Sequence, residues 1–279
     1  MMRTTTIQSP AQASNTLSLV DHDLTLLIPA YNEAERLPRS LRDAKAFLDE
    51  WGVDYRVIVI DNGSKDGTGD IASQFGPRFS TMCQAVPGKG AAVRMGMLAA
   101  RGQVVAFTDA DLPFDLASLR IAYDKISTRK CSVVLGCRDM AGSTDVVSRS
   151  VMRTLASFVF RKCVSRLVSG EVTDTQCGLK VFSHRAAHQI FSRTTINGFA
   201  FDTEVIFITH LLSLPFSQVP VTLVNDYGTT ISLVRNALPM LGEVLRVRWQ
   251  ALQGGYDRSN ALSREPELER PRTMHSKAA

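Results

Sequence analysis

The sequence predicts an α/β fold with a Rossmann-like, mostly parallel central sheet flanked by helices. Short β-rich runs alternate with longer helical patterns between residues 24 and 136, and this alternation is typical of βαβ crossover units. The strand runs are almost continuously apolar, as expected for strands buried on both faces of a parallel sheet. A chain of 279 residues, 44% of them hydrophobic, is long enough to bury one large core.

The individual elements follow from the local residue pattern. The predicted strands are LTLLIPA at 24–30, YRVIVID at 55–61, TMCQAV at 81–86, QVVAFTDAD at 103–111 and CSVVLG at 131–136. The predicted helices cover about 33–51, 68–74, 89–101 and 116–128. Each of these helices connects two strands, which then lie parallel in the sheet.

The chain is predicted to have one main domain between two flexible ends. Residues 1–22 lack periodicity and residues 254–279 are polar and charged, so we expect both segments to be mobile. The body is an α/β domain over 23–235, followed by an amphipathic helix over 236–253. No uninterrupted apolar run approaches the roughly 20 residues that cross a bilayer, and the first residues lack the apolar core of a signal peptide. We therefore expect a protein that does not cross a membrane.

Composition narrows the classes of partner. The formal net charge of +5 is compatible with phosphate-bearing ligands or an anionic membrane surface, and nucleic acid is not among the predicted partners. The five cysteines are scattered without a C-x-x-C pair, which argues against a disulfide framework or a zinc ribbon. This pattern indicates a reducing, cytoplasmic setting.

Four polar clusters lie directly after predicted strands. They are PAYNE at 29–33, DNGSKDGT at 61–68, GKG at 88–90 and DAD at 109–111. In an open α/β sheet the ligand site lies outside the carboxyl ends of the strands. The four clusters together therefore predict a ligand site at this edge of the sheet.

Asp109 and Asp111 are the candidate metal ligands. Strand alternation would place both carboxylates on one face, where like charges repel. A divalent cation would remove that repulsion. Mg²⁺ or Mn²⁺ prefers oxygen ligands and is commonly held by one or two carboxylates together with substrate phosphates and water. A nucleoside diphosphate would complete such a shell.

Two of the other clusters allow a structural and a functional interpretation. In DNGSKDGT, Asp66 caps a helix after a turn, or Asn62 and neighbouring backbone groups bind a nucleobase. In PAYNE, Asn32 and Glu33 cap a helix, or Tyr31 and Glu33 line a base and ribose pocket.

The GKG cluster is equally open to two interpretations. Two glycines surround Lys89 at a predicted helix start, where exposed backbone N–H groups and the helix dipole favour anions. The cluster fits neither G-x-x-x-x-G-K-[ST] nor G-x-G-x-x-G. The alternative is an ordinary glycine-containing helix entrance with a solvated lysine.

Six segments occur in an order that resembles a known family. They are IPAYNE, VIVIDNGSKDGT, GKGAAVRMGM, RGQVVAFTDADLPFDL, DTQCGLKVF and FAFDTEV. Their order resembles that of family-2 inverting glycosyltransferases of the GT-A fold, over about residues 24 to 249. DTQCGLK followed by AFDTE resembles the dolichyl-phosphate or polyprenyl-phosphate glucosyltransferase branch.

The resemblance implies inverting transfer of a hexose, glucose in this branch, from a nucleotide sugar such as UDP-glucose to a polyprenyl or dolichyl phosphate. It also implies an Mg²⁺ or Mn²⁺ cofactor at Asp109 and Asp111. The implied nucleotide-sugar residues are Pro29, Ala30, Tyr31, Glu33, Asp61, Asn62, Gly63, Lys89, Gly90, Asp109, Ala110 and Asp111. Asn62 stands where the family usually has a second acidic residue, but it can still accept from the N3–H of uracil. Pro113 stands where mannosyl-transferring relatives often have a further polar contact, which favours the glucosyl branch.

The resemblance also implies which residues bind the acceptor phosphate. GCRDM matches the Gly-Ser-Arg position of the family, so Arg138 is the candidate for the acceptor phosphate, with a surface salt bridge as the alternative. Arg149, Arg153 and Gln176 are assigned to the same phosphate. The segment 148–170 is predicted to be a basic amphipathic helix that either packs on the core or lies at a membrane surface.

A second amphipathic helix is predicted near the end of the domain. The segment 233–249 joins Arg246 and Arg248 to an apolar stripe that ends in Trp249. Together with the lipid-linked acceptor implied by the family, these amphipathic C-terminal helices predict a peripheral protein on the cytoplasmic face of a membrane.

Two rival functions remain open at this point. Transfer to a sugar or small-molecule hydroxyl would need a carboxylate base, for which Asp202 is the first candidate and Asp174 the second. Both could equally be structural, Asp174 in a turn or cap and Asp202 as an N-terminal helix charge. An inactive nucleotide-sugar-binding or membrane-scaffold protein is the rival of another class, and the intact DAD segment argues against it.

Overall fold

The computed structural model describes residues 20–140, 143–145, 172, 174–224 and 233–256. Within them the strands are β1 His22–Ala30, β2 Tyr55–Asp61, β3 Phe79–Cys83, β4 Gly102–Phe107, β5 Val133–Cys137, β6 Thr144–Asp145, β7 Lys180–Ser183, β8 Phe216–Pro220 and β9 Thr222–Leu223. The α-helices of the same residues are α1 Leu37–Trp51, α2 Lys89–Ala99, α3 Ala117–Ser127, α4 His184–Phe191, α5 Phe201–Leu211 and α6 Leu233–Leu252. The alternation of strands and helices confirms the predicted α/β class.

The central sheet has seven strands in the order β3-β2-β1-β4-β7-β5-β8. β1 pairs in parallel with β2 and β4, in a register that places Ala30 beside Asp61 and Leu27 beside Phe107. β7 is antiparallel to both β4 and β5, so Lys180 at the start of β7 lies beside Phe107 at the end of β4. A short second sheet pairs β6 with β9. These registers bring the carboxyl ends of β1, β2 and β4 to one edge.

The sheet is buried on both faces, which explains the continuous apolar runs in the sequence. Leu26 and Ile28 of β1 belong to a core that also contains apolar residues of α1 and α3. Leu27 belongs to a second core with Phe107 and Phe201, to which α2 and α4 also contribute. Successive strand residues point to opposite faces, so one strand supplies both cores.

Two predicted helices differ from the observed ones. α1 begins at Leu37 rather than near residue 33, because Pro38 is tolerated only in the first turn of a helix. The predicted helix over 68–74 is instead two 3₁₀ segments, Thr68–Asp70 and Ala72–Phe75. Gly67 and Gly76 flank these segments with φ of 88° and 100°, values that favour glycine and interrupt a helix.

The predicted basic helix over 148–170 lies outside the described residues, so the structure says nothing of Arg149 and Arg153. The same holds for residues 1–19 and 257–279 of the two ends.

The C-terminal helix is present as α6. Among its described side chains Val247 is buried, whereas Leu245 and Trp249 are exposed, which agrees with an amphipathic helix. In the part of the chain that the structure describes, every helix is too short or too polar to serve as a membrane span.

Candidate active site

The DAD segment lies in a turn beyond β4 rather than on the strand. β4 ends at Phe107, and the N–H of Leu112 donates to the Asp109 carbonyl at 3.1 Å. Leu112 has a φ of 42°, a left-handed conformation that costs a leucine about 1–2 kcal/mol, and its side chain is buried in the core. The expected strand alternation is therefore wrong, and a turn anchored by the buried Leu112 presents Asp109 and Asp111 at the sheet edge.

The two carboxylates remain electrostatically coupled. Burial raises the pKa of Asp111 above its ordinary value, and the negative charge of Asp109 adds to the rise. Burial also opposes ionisation of Asp109, but the nearby cations outweigh it and hold the pKa of Asp109 below its ordinary value. In order of strength these cations are Lys89, Lys180 and Arg138. The turn thus holds one firmly ionised carboxylate beside one whose charge is disfavoured, and a bound cation would relieve that conflict.

The surroundings of Asp109 suit a metal that is shared with a substrate. A Cβ at Gly178 would lie 2.3 Å from Asp109 Oδ2, so glycine is needed to leave room for the carboxylate. No group of three or more His, Cys, Asp or Glu side chains in the described residues could hold a metal by itself. A pair of carboxylates such as Asp109 and Asp111 could hold Mg²⁺ or Mn²⁺, which typically takes one or two carboxylates and completes its shell with phosphate and water.

Lys89 forms an ion pair with Asp109 at the centre of the site. Lys89 is the first residue of α2. The side chains of Lys89 and Asp109 are 22% and 33% exposed, so the pair is accessible from solvent. The site therefore contains a cation already in contact with a candidate metal ligand.

The glycines of the GKG cluster allow the close approach of another loop. A Cβ at Gly88 would lie 2.2 Å from the Asn197 carbonyl oxygen, and one at Gly90 would lie 2.5 Å from the Ile196 carbonyl oxygen. The N–H of Gly90 donates to Asn197 O at 2.8 Å. The N–H of Gly90 thus already has a backbone acceptor, and a role of Gly90 and the helix start in binding the nucleotide sugar stays a prediction.

Asn62 holds the loop before α2 in place. Its Nδ2 donates to the carbonyls of Gln84 and Val86 at 3.0 and 2.8 Å. Its Oδ1 accepts from the N–H of Gly88 at 2.7 Å. Both side-chain N–H groups thus have protein acceptors, and only the second lone pair of Oδ1 remains for a nucleobase. The amide links the end of β2 to the loop that carries Lys89.

Asp61 and Gly63 form the turn after β2. The buried Asp61 carboxylate accepts from the N–H of Ser64 at 3.0 Å. Gly63 has a φ of 83°, which favours glycine. Pro29 and Ala30 end β1 alongside this turn. These residues therefore shape the edge where the site lies.

The segments after β1 and β2 are joined by hydrogen bonds. The N–H of Asn32 donates to Ser64 Oγ at 2.9 Å, and Asn32 Oδ1 accepts from the N–H of Lys65 at 3.0 Å. Asn32 therefore does not cap α1, whose N-cap residue Arg36 has no side-chain capping bond. Tyr31 is 59% exposed beside this junction, so its ring is free to meet a ligand.

Glu33 and Asp66 strengthen the same junction. Asp66 accepts from the N–H of Ala34 at 3.0 Å and from the N–H of Thr68 at 3.1 Å. The N-cap residue of the first 3₁₀ segment is Gly67. Glu33 pairs with Arg36 at 2.9 Å. Burial raises the pKa of Glu33; Arg36 opposes this rise and Asp111 adds to it. Glu33 thus lies within electrostatic range of the DAD turn.

Lys180 is a member of the site that the sequence analysis missed. The side chain is fully buried, and its Nζ donates to Asp202 Oδ1 at 2.6 Å and to the Cys177 carbonyl at 2.7 Å. Burial raises the pKa of Asp202, and the charges of Lys180 and Lys89 oppose the rise. In the sequence this residue is the final lysine of DTQCGLK, and a lysine is typical of an exposed position. Only the antiparallel pairing of β7 shows that it lies in the core.

Arg138 and Asp174 form a second ion pair, in which Asp174 is fully buried and Arg138 partly buried. The Arg138 Nε and one terminal nitrogen donate to the two carboxylate oxygens of Asp174 at 2.7 and 2.8 Å. Asp174 is fully buried, and its Oδ1 also accepts from the N–H of Gln176 at 3.3 Å. A bidentate arginine contact orients the guanidinium as well as neutralising the acid. The structure therefore brings Arg138, Asp174 and Gln176 together next to the DAD turn, where the charge of Arg138 acts on Asp109.

Helix α6 contacts the loop at 196–200, which packs against the start of α2. Glu243 of α6 accepts from the N–H of Ala200 at 3.2 Å, and a Cβ at Gly198 would lie 2.4 Å from the same carboxylate. The buried Glu204 accepts from the hydroxyl of Tyr256, just beyond α6, at 2.9 Å. The C-terminal helix is thus part of the support of the site.

Known proteins resemble this chain in sequence and in fold. The profile of Glycosyl transferase family 2 matches residues 25–191. A dolichyl-phosphate beta-glucosyltransferase of Dictyostelium discoideum is 30% identical over 262 residues, covering 88% of this chain and 80% of that protein. The enzyme of the same name from Drosophila melanogaster is 31% identical over 251 residues, covering 84% and 77%. A crystal structure of glucosyl-3-phosphoglycerate synthase from Mycobacterium tuberculosis, in complex with Mn²⁺, UDP and phosphoglyceric acid, has a TM-score of 0.60 at 19% identity and covers 80% of this chain and 78% of that chain. This likeness confirms the predicted GT-A fold.

Proposed function

The chain belongs to glycosyl transferase family 2 and is a glycosyltransferase, and from this premise we propose that it transfers glucose, with inversion, from UDP-glucose to a polyprenyl or dolichyl phosphate. The observation that carries the proposal is the turn after β4. In this turn Asp109 forms an ion pair with Lys89, and Asp111 follows two residues later in the chain. The dolichyl-phosphate beta-glucosyltransferases that resemble the chain support the choice of sugar and acceptor.

On the donor side, residues of the chain neutralise the leaving diphosphate. When Mg²⁺ or Mn²⁺ is bound at Asp109 and Asp111, it supplies charge stabilisation for the leaving group. The structural neighbour crystallised with Mn²⁺ and UDP supports this choice of cofactor. Lys89 adds a cation at the same turn, which contributes further charge stabilisation when the bond to the anomeric carbon breaks. Tyr31 and Glu33 receive the nucleoside at the junction after β1.

On the acceptor side, the structure favours a phosphate over a hydroxyl. A phosphate monoester has a second pKa of about 6, so its oxygen is largely ionised at neutral pH and attacks without a strong base. The two candidate bases are both engaged, Asp202 by Lys180 and Asp174 by Arg138. In this proposal Asp174 and Gln176 orient Arg138 toward the acceptor phosphate. Arg149 and Arg153 bind the same phosphate.

The function is tested by a screen of donors against acceptors. UDP-glucose and GDP-mannose are each incubated with polyprenyl phosphate or with a hydroxyl acceptor, in Mg²⁺ or Mn²⁺; the product is identified by mass spectrometry and its anomeric configuration by nuclear magnetic resonance. We expect a β-glucosyl phospholipid from UDP-glucose and polyprenyl phosphate, at a rate at least about tenfold above any other combination, since each 1.4 kcal/mol of transition-state preference is tenfold in rate. Preferred transfer to the hydroxyl acceptor would overturn the proposal.

The proposal includes peripheral binding to the cytoplasmic face of a membrane. Leu245, Trp249 and Leu252 are exposed at helical spacing on α6, and Arg246 is exposed on the same helix. Exposed apolar residues beside basic ones suit the interface of an anionic bilayer. The opposite face of α6, around Val247, is buried against the domain.

Vesicle sedimentation tests this surface. We expect the protein to co-sediment with vesicles that contain anionic lipid, and to be released as salt rises, because the basic residues contribute screened attraction. Replacement of both Leu245 and Leu252 by glutamate is expected to weaken vesicle binding at least about tenfold. The matched control is Ile121→Glu, at an exposed residue of α3, which should bind like wild type. Absence of salt-sensitive binding would exclude a peripheral role for α6.

A further inference from the structure

Lys89 and Asp109 form an ion pair in the candidate active site. Their ion pair lies at the sheet edge, in contact with solvent. Asp109 is also one of the two carboxylates that fit a metal ion. A divalent cation on the same carboxylate would lie close to the Lys89 ammonium, and the two positive charges would repel each other.

We propose that Lys89 is an internal counter-ion of Asp109 that must transfer to the donor diphosphate when the metal site is filled, so that the metal ion and the nucleoside diphosphate bind with strong positive coupling. This inference rests on the proposed function, and it concerns how the site is loaded rather than which sugar is transferred.

The backbone on both sides of Lys89 is fixed. The N–H of Gly88 donates to Asn62 Oδ1 at 2.7 Å, and the N–H of Gly90 donates to Asn197 O at 2.8 Å. The lysine side chain has four methylene groups joined by rotatable bonds. Its ammonium can therefore move several ångströms while the main chain stays in place. Lys89 is thus built to exchange partners by side-chain rotation alone.

The exchange links two binding events. A metal ion at Asp109 would repel the Lys89 ammonium and share its counter-charge, so the displaced ammonium would lack a full counter-charge in a partly buried site. The negative charges of Asp111 and Asp202 act on Lys89, but Asp202 already has Lys180 as its partner at 2.6 Å. The donor diphosphate supplies the missing anion. Metal ion and diphosphate therefore each lower the cost of binding the other, and this coupling must be reciprocal.

Metal binding without turnover tests the exchange. The Kd of Mn²⁺ is measured by the free-ion signal in electron paramagnetic resonance, with and without saturating UDP, for wild type and Lys89→Met. Wild type should bind Mn²⁺ weakly alone and about 5- to 150-fold more tightly with UDP, the usual range for coupled sites. Lys89→Met should bind Mn²⁺ alone at least about fivefold more tightly than wild type, and its UDP-dependent gain should be at least about fivefold smaller.

Two further variants separate the exchange from a general effect of charge. Lys45→Met removes a lysine charge whose partner is Asp49, outside the site. It should leave the UDP-dependent gain unchanged. Lys89→Arg keeps the cation and should keep weak Mn²⁺ binding in the absence of UDP. Lys89→Gln serves as a second neutral variant if Lys89→Met does not fold, with the same direction expected.

The outcomes distinguish this inference from the proposed function. If wild type does not bind Mn²⁺ even with UDP, the metal-dependent function itself fails. If wild type shows the coupling but neutral variants at Lys89 show the same Kd values and the same gain, Lys89 is not the exchanging counter-ion and the inference is wrong. Tighter Mn²⁺ binding by Lys89→Met with a reduced UDP gain supports it.

Discussion

Asp109→Asn is expected to lower kcat/KM for glucosyl transfer by about 10²–10³-fold or more, and Asp111→Asn by a similar factor. Asparagine keeps the size of the side chain but removes the charge that a divalent cation requires. The loss of one preorganised charge at a developing anion typically costs about 3–4 kcal/mol of transition-state stabilisation. In Asp109→Asn the ion pair with Lys89 is lost as well. Initial rates with UDP-glucose and polyprenyl phosphate, at several Mn²⁺ concentrations, measure the effect.

A surface aspartate provides the matched control for these variants. Asp124 is exposed on α3, and Asp124→Asn should keep at least about half of the wild-type kcat/KM. The thermal midpoint of Asp111→Asn should not fall, because burial and Asp109 already disfavour the Asp111 charge in the folded state. Retention of more than a tenth of the activity in Asp109→Asn would show that the DAD turn does not hold the working cation.

The location of the site could be predicted because it depends on topology. Parallel strands bring their carboxyl ends to one edge, and the register of β1 with β2 and β4 does this here. The segments around Tyr31, Asn62 and Asp109 therefore meet as expected. The family could also be predicted, because an ordered set of segments is far more specific than any one motif.

Local geometry was harder to infer, because it depends on tertiary contacts. The DAD segment continues an apolar strand pattern, but β4 ends at Phe107 and the left-handed, buried Leu112 lies at the end of the turn that follows. The GKG glycines resemble an anion-binding helix start, but the close approach of Asn197 accounts for Gly88 and Gly90. A glycine that permits a ligand and one that permits a neighbouring loop have the same sequence signal.

The buried cations could not be predicted from residue type. Lysine is rarely buried without a partner, and the partner of Lys180 lies 22 residues away in the chain. Asp202 and Asp174 were candidate bases or structural acids, and only their contacts with Lys180 and Arg138 favour the structural interpretation. The charge pattern of the site is therefore a property of the fold.

Lys180→Met is expected to reduce the free energy of unfolding by about 3–5 kcal/mol at neutral pH. The Lys180 and Asp202 side chains are 0% and 9% exposed, and removal of one partner from a buried ion pair leaves an uncompensated charge. Because the folded state of a domain is typically favoured by only 5–15 kcal/mol, this is a large share. Urea unfolding followed by circular dichroism measures it. The surface substitution Lys45→Met, which breaks a pair whose side chains are 44% and 38% exposed, should cost less than about 1 kcal/mol.

The pH dependence and a double variant identify the cause. In Lys180→Met the cation that opposes the raised pKa of Asp202 is gone, so the folded pKa of this acid lies further above its unfolded value. A raised carboxyl pKa contributes stability at low pH and loses it as the pH rises through the folded pKa. The deficit of Lys180→Met should therefore be smaller at pH 5 than at pH 8. Lys180→Met combined with Asp202→Leu should recover at least half of the loss, because two apolar side chains can replace a buried pair. A deficit that is independent of pH and additive in the double variant would mean that Lys180 stabilises the fold through packing rather than through its charge.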